Sequence, residues 1–235
     1  MTGLLPVLAA VFAGALTQRI TGLGFALVAA PLLVIIAGPY QGVLLANLLS
    51  VVVAGAVLAQ TFRNVDRRRA LVLAVSGVTG VVPGALAARL LPPGPLTVAV
   101  GTLVLAGLLA ALAGRRLPAP PTAAAGFASG FMNASAGVGG PALVVYATAT
   151  GWSQAAFVAS AQLSFLVQSA LSLGLKGFPE LPGWQLAAVV STLAAGLAGG
   201  RLLAPRISAT HARRAGMALG FAGALITVVK GMLTW

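Results

Sequence analysis

The sequence predicts an all-α polytopic membrane protein made of two inverted repeats, each a broken helix or re-entrant helical hairpin followed by three transmembrane helices. Three observations carry this reading. The chain is overwhelmingly apolar, with 59% hydrophobic and 7% charged residues among 235. Its apolar segments are long and are separated by short connectors rich in glycine, proline and arginine. Two of the segments are interrupted by the same glycine-rich pattern, 115 positions apart.

Soluble domains are about 45–50% apolar and about a quarter charged, far from this composition. The acidic residues are Asp66 and Glu180 alone. A net charge of +12 does not indicate nucleic acid as a partner. The basic residues lie between apolar spans, where the positive-inside rule puts them, and no aromatic residues interleave with them. Cysteine is absent, which excludes disulfides, thiolate metal sites and cysteine nucleophiles. His211 is the lone histidine and no carboxylate falls inside a span, so neither catalysis nor a metal or cofactor is expected. The apolar N-terminal run lacks the basic start of a signal peptide and reads as a retained part of the mature protein.

Apolar segments run over 4–37, 41–62, 70–91, 95–114, 122–150, 153–175, 183–203 and 213–233. The connectors carry turn and helix-end residues, such as Gly38-Pro39 and Pro92-Pro93-Gly94-Pro95. As one straight helix the first segment would be about 50 Å long, against a hydrocarbon core of about 30 Å. It either crosses once, tilted and broken, or doubles back as a hairpin, and the same choice applies to 122–150. The arginines favour hairpins. In that arrangement Arg63, Arg67, Arg68, Arg69, Arg115, Arg116, Arg206, Arg213 and Arg214 share one face. The other face then carries Lys176, balanced by Glu180, and Lys230. Single crossings would split the arginines between the two faces. Hairpins leave three full crossings per half and invert one half relative to the other. The arginine loops are expected in the cytoplasm and both termini outside. An alanine- and glycine-rich chain with arginine over lysine suggests a bacterial plasma (inner) membrane.

The repeat extends beyond its glycines. Phe12 to Gly24 matches Phe127 to Gly139, and Asn47 matches Gln162, at one offset of 115. Gly84-Ala-Leu-Ala-Ala-Arg89-Leu-Leu matches Gly196-Leu-Ala-Gly-Gly-Arg201-Leu-Leu at an offset of 112, the difference falling in a connector. Residues 1–115 and 122–235 therefore read as copies joined by a linker at 116–121.

A break at membrane depth frees backbone groups that lipid cannot satisfy, so it survives only when buried in protein or lining a cavity. A matched pair of breaks is a sequence pointer to the binding site of a transporter. A half-helix starting at such a depth presents free N–H groups and the positive end of its dipole, which suits an anion. Gly22, Gly24, Gly137, Gly139 and Gly140 allow the tight turn and close backbone approach. Pro141 fits a first helical turn. Thr21 and Ser135 are placed to cap the half-helices or to donate hydroxyls. Arg19, a charge far from any connector, either neutralises an anionic substrate or caps the preceding half-helix. Asn47 and Gln162 offer amides at matching positions, and Asn133, Ser50, Ser164 and Gln168 are further candidates. Gly196, Gly199 and Gly200, inside an unbroken segment, suit close helix packing instead. A small anionic substrate and the lipid bilayer are the expected partners, with homo-oligomer formation left open.

The chain resembles the sulfite exporter TauE/SafE family of membrane permeases. The resemblance rests on Thr21-Gly22-Leu23-Gly24-Phe25-Ala26-Leu27-Val28-Ala29-Ala30-Pro31, and on Ser129-Gly130 followed by Gly137-Val138-Gly139-Gly140-Pro141. It implies a permease for small sulfur oxyanions or organosulfonates, such as sulfite and sulfoacetate; the paired breaks suggest that it works by alternating access around a midplane site which they form. The alternatives are another inorganic oxyanion or a carboxylate as cargo, or a membrane scaffold that transports nothing. Without a carboxylate in a span, a carboxylate proton relay is not expected. Facilitated movement, protons carried on the substrate, and sodium held by backbone carbonyls remain as drives. Replacing Gly139 with leucine is expected to abolish transport and spare insertion.

Overall fold

The computed structural model describes residues 3–22, 24–113, 118–204 and 209–233, and among them every regular element is helical. In chain order these are α1 (Leu4–Thr21), α2 (Phe25–Ala37), α3 (Pro39–Thr61), α4 (Arg67–Leu90) and α5 (Pro93–Ala113). The second series is α6 (Thr122–Ala136), α7 (Gly140–Thr150), α8 (Gln154–Lys176), α9 (Gly183–Leu203) and α10 (Ala209–Leu233). A single 3-10 turn, Phe62–Asn64, follows α3. Leu23, within the first glycine motif, and Arg115, Arg116 and Arg206 lie outside the described residues.

Local chemistry explains the helix ends. Gly22 and Gly137 close α1 and α6 at φ +87° and +72°, a left-handed conformation open to glycine at little cost. Proline opens α3 and α5, where its missing N–H is no loss. The carboxylate of Asp66 caps α4 by accepting from the Arg69 N–H at 3.2 Å.

Among the described residues seven helices are long and apolar enough to cross a bilayer: α1, α3, α4, α5, α8, α9 and α10. Burial fits a hydrocarbon surround. Leu71, Val75, Val82, Leu86 and Leu90 form an exposed stripe down α4. Gln18, Asn47, Asn133, Gln162, Gln168 and Lys176 are all buried. Lipid drives no apolar collapse between helices, so close packing and interhelical hydrogen bonds hold the bundle instead.

The two broken segments double back. Thr122, at the start of α6, shares a 2.9 Å hydrogen bond with Tyr146, near the end of α7. In the first half, a methyl added at Gly14 of α1 would meet Ala29 of α2 at 2.9 Å. α1 is nevertheless long: its 18 residues span about 27 Å, so this hairpin is deep. Its Ala15 and Arg19 pack on Gly196 and Gly200 of α9.

α3 and α8 pack antiparallel. Tyr40 donates to the Lys176 carbonyl at one end (2.8 Å), and the Asp66 N–H donates to Ser160 at the other (3.0 Å). The second end carries Arg63 and Arg67 to Arg69 and is called the arginine face below. The first halves of each series are exchanged: α1 packs on α9, and α6 on α4. The α4–α6 contact is the tighter, since a Cβ at Gly130 would collide with the Gly77 carbonyl and one at Gly80 with the Phe127 carbonyl. Of the three glycines expected to pack in α9, Gly196 and Gly200 do so, whereas Gly199 faces open space.

Gly130→Ala should therefore lower thermal stability in detergent, by about 1–3 kcal/mol in the range of overpacked cores. Gly199→Ala should leave it unchanged or slightly raised. Equal unfolding midpoints for the two variants would contradict the packing described.

Candidate functional site: two helix breaks and the cavity between them

Each break has its own means of satisfying the backbone. At the first, Gln18 bridges the gap: its Nε2 donates to the Gly22 carbonyl at 2.7 Å, and its Oε1 accepts from the Phe25 N–H at 3.0 Å. Gln162, reaching across from α8, donates to the same Gly22 carbonyl at 3.1 Å. At the second, the backbone turns on itself, with the Gly137 N–H on the Asn133 carbonyl (2.9 Å) and the Val138 N–H on the Met132 carbonyl (3.3 Å). The Ala134 carbonyl there receives the ammonium of Lys176 at 2.7 Å.

A cavity of about 30 Å³ lies between the breaks, lined by Gln18, Ser50, Asn133, Gln162, Phe165 and the starts of α2 and α7. Its lining is paired along the chain. Gln18 and Asn133, Phe25 and Gly140, and Ser50 and Phe165 each stand 115 positions apart. Two helix N-termini thus face one space, with three side-chain amides and a hydroxyl around them. Their first-turn N–H groups have no partner within the helix, and the aligned dipoles make the space positive. Such a volume holds about two waters.

A second cavity, of about 180 Å³, adjoins it on the arginine face. Thr17, Thr21, Gly24 and Leu27 of the first hairpin form one wall, and Pro141, Val144 and Thr148 of α7 the other. Exposed Gln154 marks its mouth. Trp152 lines it too, with the Arg69 guanidinium stacked 4.9 Å from its ring centre. That contact gives Arg69 a place at the entrance, beyond the topology signal its sequence position suggests.

The expected site residues divide accordingly. Asn133, Gly139, Gly140 and Gln162 line the inner cavity, and Thr21 and Gly24 line the outer one. Gly22 and Gly137, the turns themselves, face Val158 of α8 and Ala46 of α3. Thr21 and Ser135 do not cap the half-helices; their hydroxyls bond back to the Thr17 and Phe131 carbonyls. The stem of Arg19 packs on Gly200, away from both cavities. Asn47 is fully buried beside Ser172 and Lys176. Gly139 has no room for a side chain, because a Cβ would sit 2.8 Å from the carbonyl and hydroxyl oxygens of Ser129. Leucine there would disturb folding as well as the site.

Gln18 and Lys176 were not singled out by the sequence reading. Gln18 carried a signal, since it matches Asn133 at the repeat offset. Lys176 had none: its matching position is Thr61, and it sits at a segment end where a solvated charge is the default. Among the described residues it makes no ion pair with Glu180.

A multi-pass helical protein with a polar interior and paired helix breaks around an enclosed cavity has the architecture of a membrane transport protein. The chain belongs to the sulfite exporter TauE/SafE family, whose model matches residues 7–229. No curated protein and no solved structure matches it.

Gln18→Leu should destabilise the protein by about 1–3 kcal/mol, because it strips a buried N–H and part of a carbonyl's bonding. Gln162→Leu should cost less, since Gln18 still serves Gly22. Thermal unfolding of both variants in detergent checks the order, and the reverse ranking would show that Gln18 is not the main staple of the break.

Proposed function

We propose that the protein is a permease for small anions, sulfur oxyanions and organosulfonates such as sulfite and sulfoacetate first among them, and works by alternating access around the inner cavity. The observation that carries this is the convergence of the α2 and α7 N-termini on one space ringed by Gln18, Ser50, Asn133 and Gln162. An oxyanion needs several convergent donors, and this ring supplies them without a full charge at the centre. No carboxylate lines either cavity to repel it.

The inner cavity is too small for sulfite, so entry requires the hairpins to part. The outer cavity marks where they do so, with the first hairpin on one side and α7 and the start of α8 on the other. Within the first half, α2 lies closed against α3, with Gly42 against the backbone of Val34. We take the arginine loops as cytoplasmic, in the inner membrane of a bacterium, and the two series as inverted repeats. This arrangement is then open inward. An inside-negative potential would favour export of a monoanion by about 2.3 kcal/mol per 100 mV.

Flux of sulfite and sulfoacetate into proteoliposomes under an imposed potential tests the reading. Wild type should show potential-sensitive flux. Ser50→Leu should abolish it, because leucine fills the cavity at a helix-interior position where it is the better helix former. Unchanged flux in that variant would rule out the cavity as the path. Absence of flux for either anion would redirect the cargo to other oxyanions and carboxylates.

Sidedness has a separate check, aided by a chain without cysteine. Thr148→Cys, in the wall of the outer cavity, should react with a membrane-impermeant maleimide added from the cytoplasmic side and be silent from outside. Labelling from outside alone would invert the assignment.

A further inference from the structure

The inner cavity does not account for Lys176. It is 6% exposed at the end of α8, the one charged side chain among the buried described residues. Its ammonium donates to the Ala134 carbonyl at 2.7 Å. With the Asn47 amide turned to satisfy both its ends, Asn47 accepts from Lys176 at 3.0 Å and from Ser172 at 2.8 Å. The same amide donates to the Asn133 carbonyl and side-chain oxygens at 3.1 and 3.3 Å. Every one of these partners is neutral, and the ion pair within reach of the described residues is Arg69 with Asp66, at the opposite face.

A buried cation with neutral partners alone is costly, because carbonyls replace only part of its lost hydration. Capping the end of α6 does not require it. A neutral amide or hydroxyl would bond the Ala134 carbonyl without burying a charge, and Thr61, at the matching repeat position, is such a neutral residue. The chain Lys176–Asn47–Asn133 also leads straight to the inner cavity, whose wall includes Asn133.

We propose that Lys176, with Asn47 and Ser172, forms a second station for the anion, between the inner cavity and the arginine-poor face. In the arrangement seen here the Ala134 carbonyl occupies the ammonium and holds the station shut. The ligand class is a small oxyanion, whose charge neutralises Lys176 while Asn47 and Ser172 donate to its remaining oxygens. This rests on the anion-permease reading and adds to it a fixed countercharge on one side of the central site. It also gives the two faces different chemistry: Arg69 at one mouth, a buried lysine at the other.

The test combines binding and flux on the full-length protein. Thermal stabilisation of purified wild type, Lys176→Gln, Lys176→Arg and Lys230→Gln is titrated with sulfite, sulfoacetate, sulfate and chloride at constant ionic strength. Flux of the same anions is measured in proteoliposomes. The proposal expects Lys176→Gln to weaken the apparent affinity at least about tenfold, as for loss of a charge-assisted hydrogen bond. Lys176→Arg should keep most of the affinity, and Lys230→Gln should match wild type. A purely structural cap predicts a different split: Lys176→Gln lowers the midpoint without ligand and leaves the affinity unchanged, which would overturn the proposal while the permease reading stands. Should Lys176→Gln not fold, Lys176→Arg together with Asn47→Leu decides by the same affinity readout. If wild type neither binds nor moves any of these anions, the assignment of sulfur oxyanions and organosulfonates as cargo falls and this proposal with it.

Discussion

Everything in this fold follows from one constraint: a helix interrupted inside hydrocarbon has to find its lost hydrogen bonds within the protein. The first break meets it with side chains, Gln18 spanning the gap and Gln162 reaching in from the second half. The second meets it with its own turn and an ammonium. Both solutions draw polar groups to the centre and push apolar ones outward, which produces the inverted burial of α4 and the polar inner face of α8. On α8 the residues Ser160, Ser164, Gln168, Ser172 and Lys176 recur every fourth position, all buried. One helix face thus supplies partners along the whole depth of the bundle.

The two breaks share a pattern but not an environment. α2 lies packed along α3, whereas α7 stands off from the first hairpin and leaves the outer cavity between them. α4 packs along α8, while the corresponding α9 makes no comparable contact with α3 among the described residues. On the permease reading, two related segments held in two arrangements are the pair of states that ligand binding would bias. For a permease this is the useful property: an exchange of arrangements between the halves would close the arginine face and open the other. Lys176 and Arg89 act at the seam that would have to part, since Arg89 donates to the Leu175 carbonyl at 3.1 Å beside the lysine.

Composition and glycine spacing made the helical membrane class and the positions of the breaks legible, because both depend on local chemistry that glycine and proline record directly. The paired amides were partly legible: Asn133 and Gln162 stood out as polar residues in apolar runs, and both line the cavity. What failed was direction. Thr21 and Ser135 read as caps, but a hydroxyl in a helix usually has a nearer acceptor, the carbonyl one turn back, and both took it. Arg19 read as a site charge, yet its stem follows the groove that Gly200 opens on α9. Which side of a helix meets a cavity depends on how the other helices pack, and the family match to residues 7–229 does not encode that. Lys176 was the least legible, since nothing in its neighbours distinguishes a loop lysine from a buried one.

If the protein is the anion permease proposed above, its selectivity follows from what the interior omits. Of the two carboxylates of the chain, Asp66 caps α4 and Glu180 lies in the loop between α8 and α9, and neither lines a cavity. The groups that face the inner space are two helix N-termini and neutral amides, and the buried charge nearest to them is positive. A cation placed there would meet the wrong end of both dipoles and an ammonium behind Asn47, with carbonyls already engaged by Gln18, Gln162 and Lys176. An anion meets the positive ends of both helices and amides that can turn to it from the bonds they make here. On the permease reading, the same groups that repair two broken helices would set the sign of what the cavity holds, and the discrimination would need no residue beyond those the fold already requires.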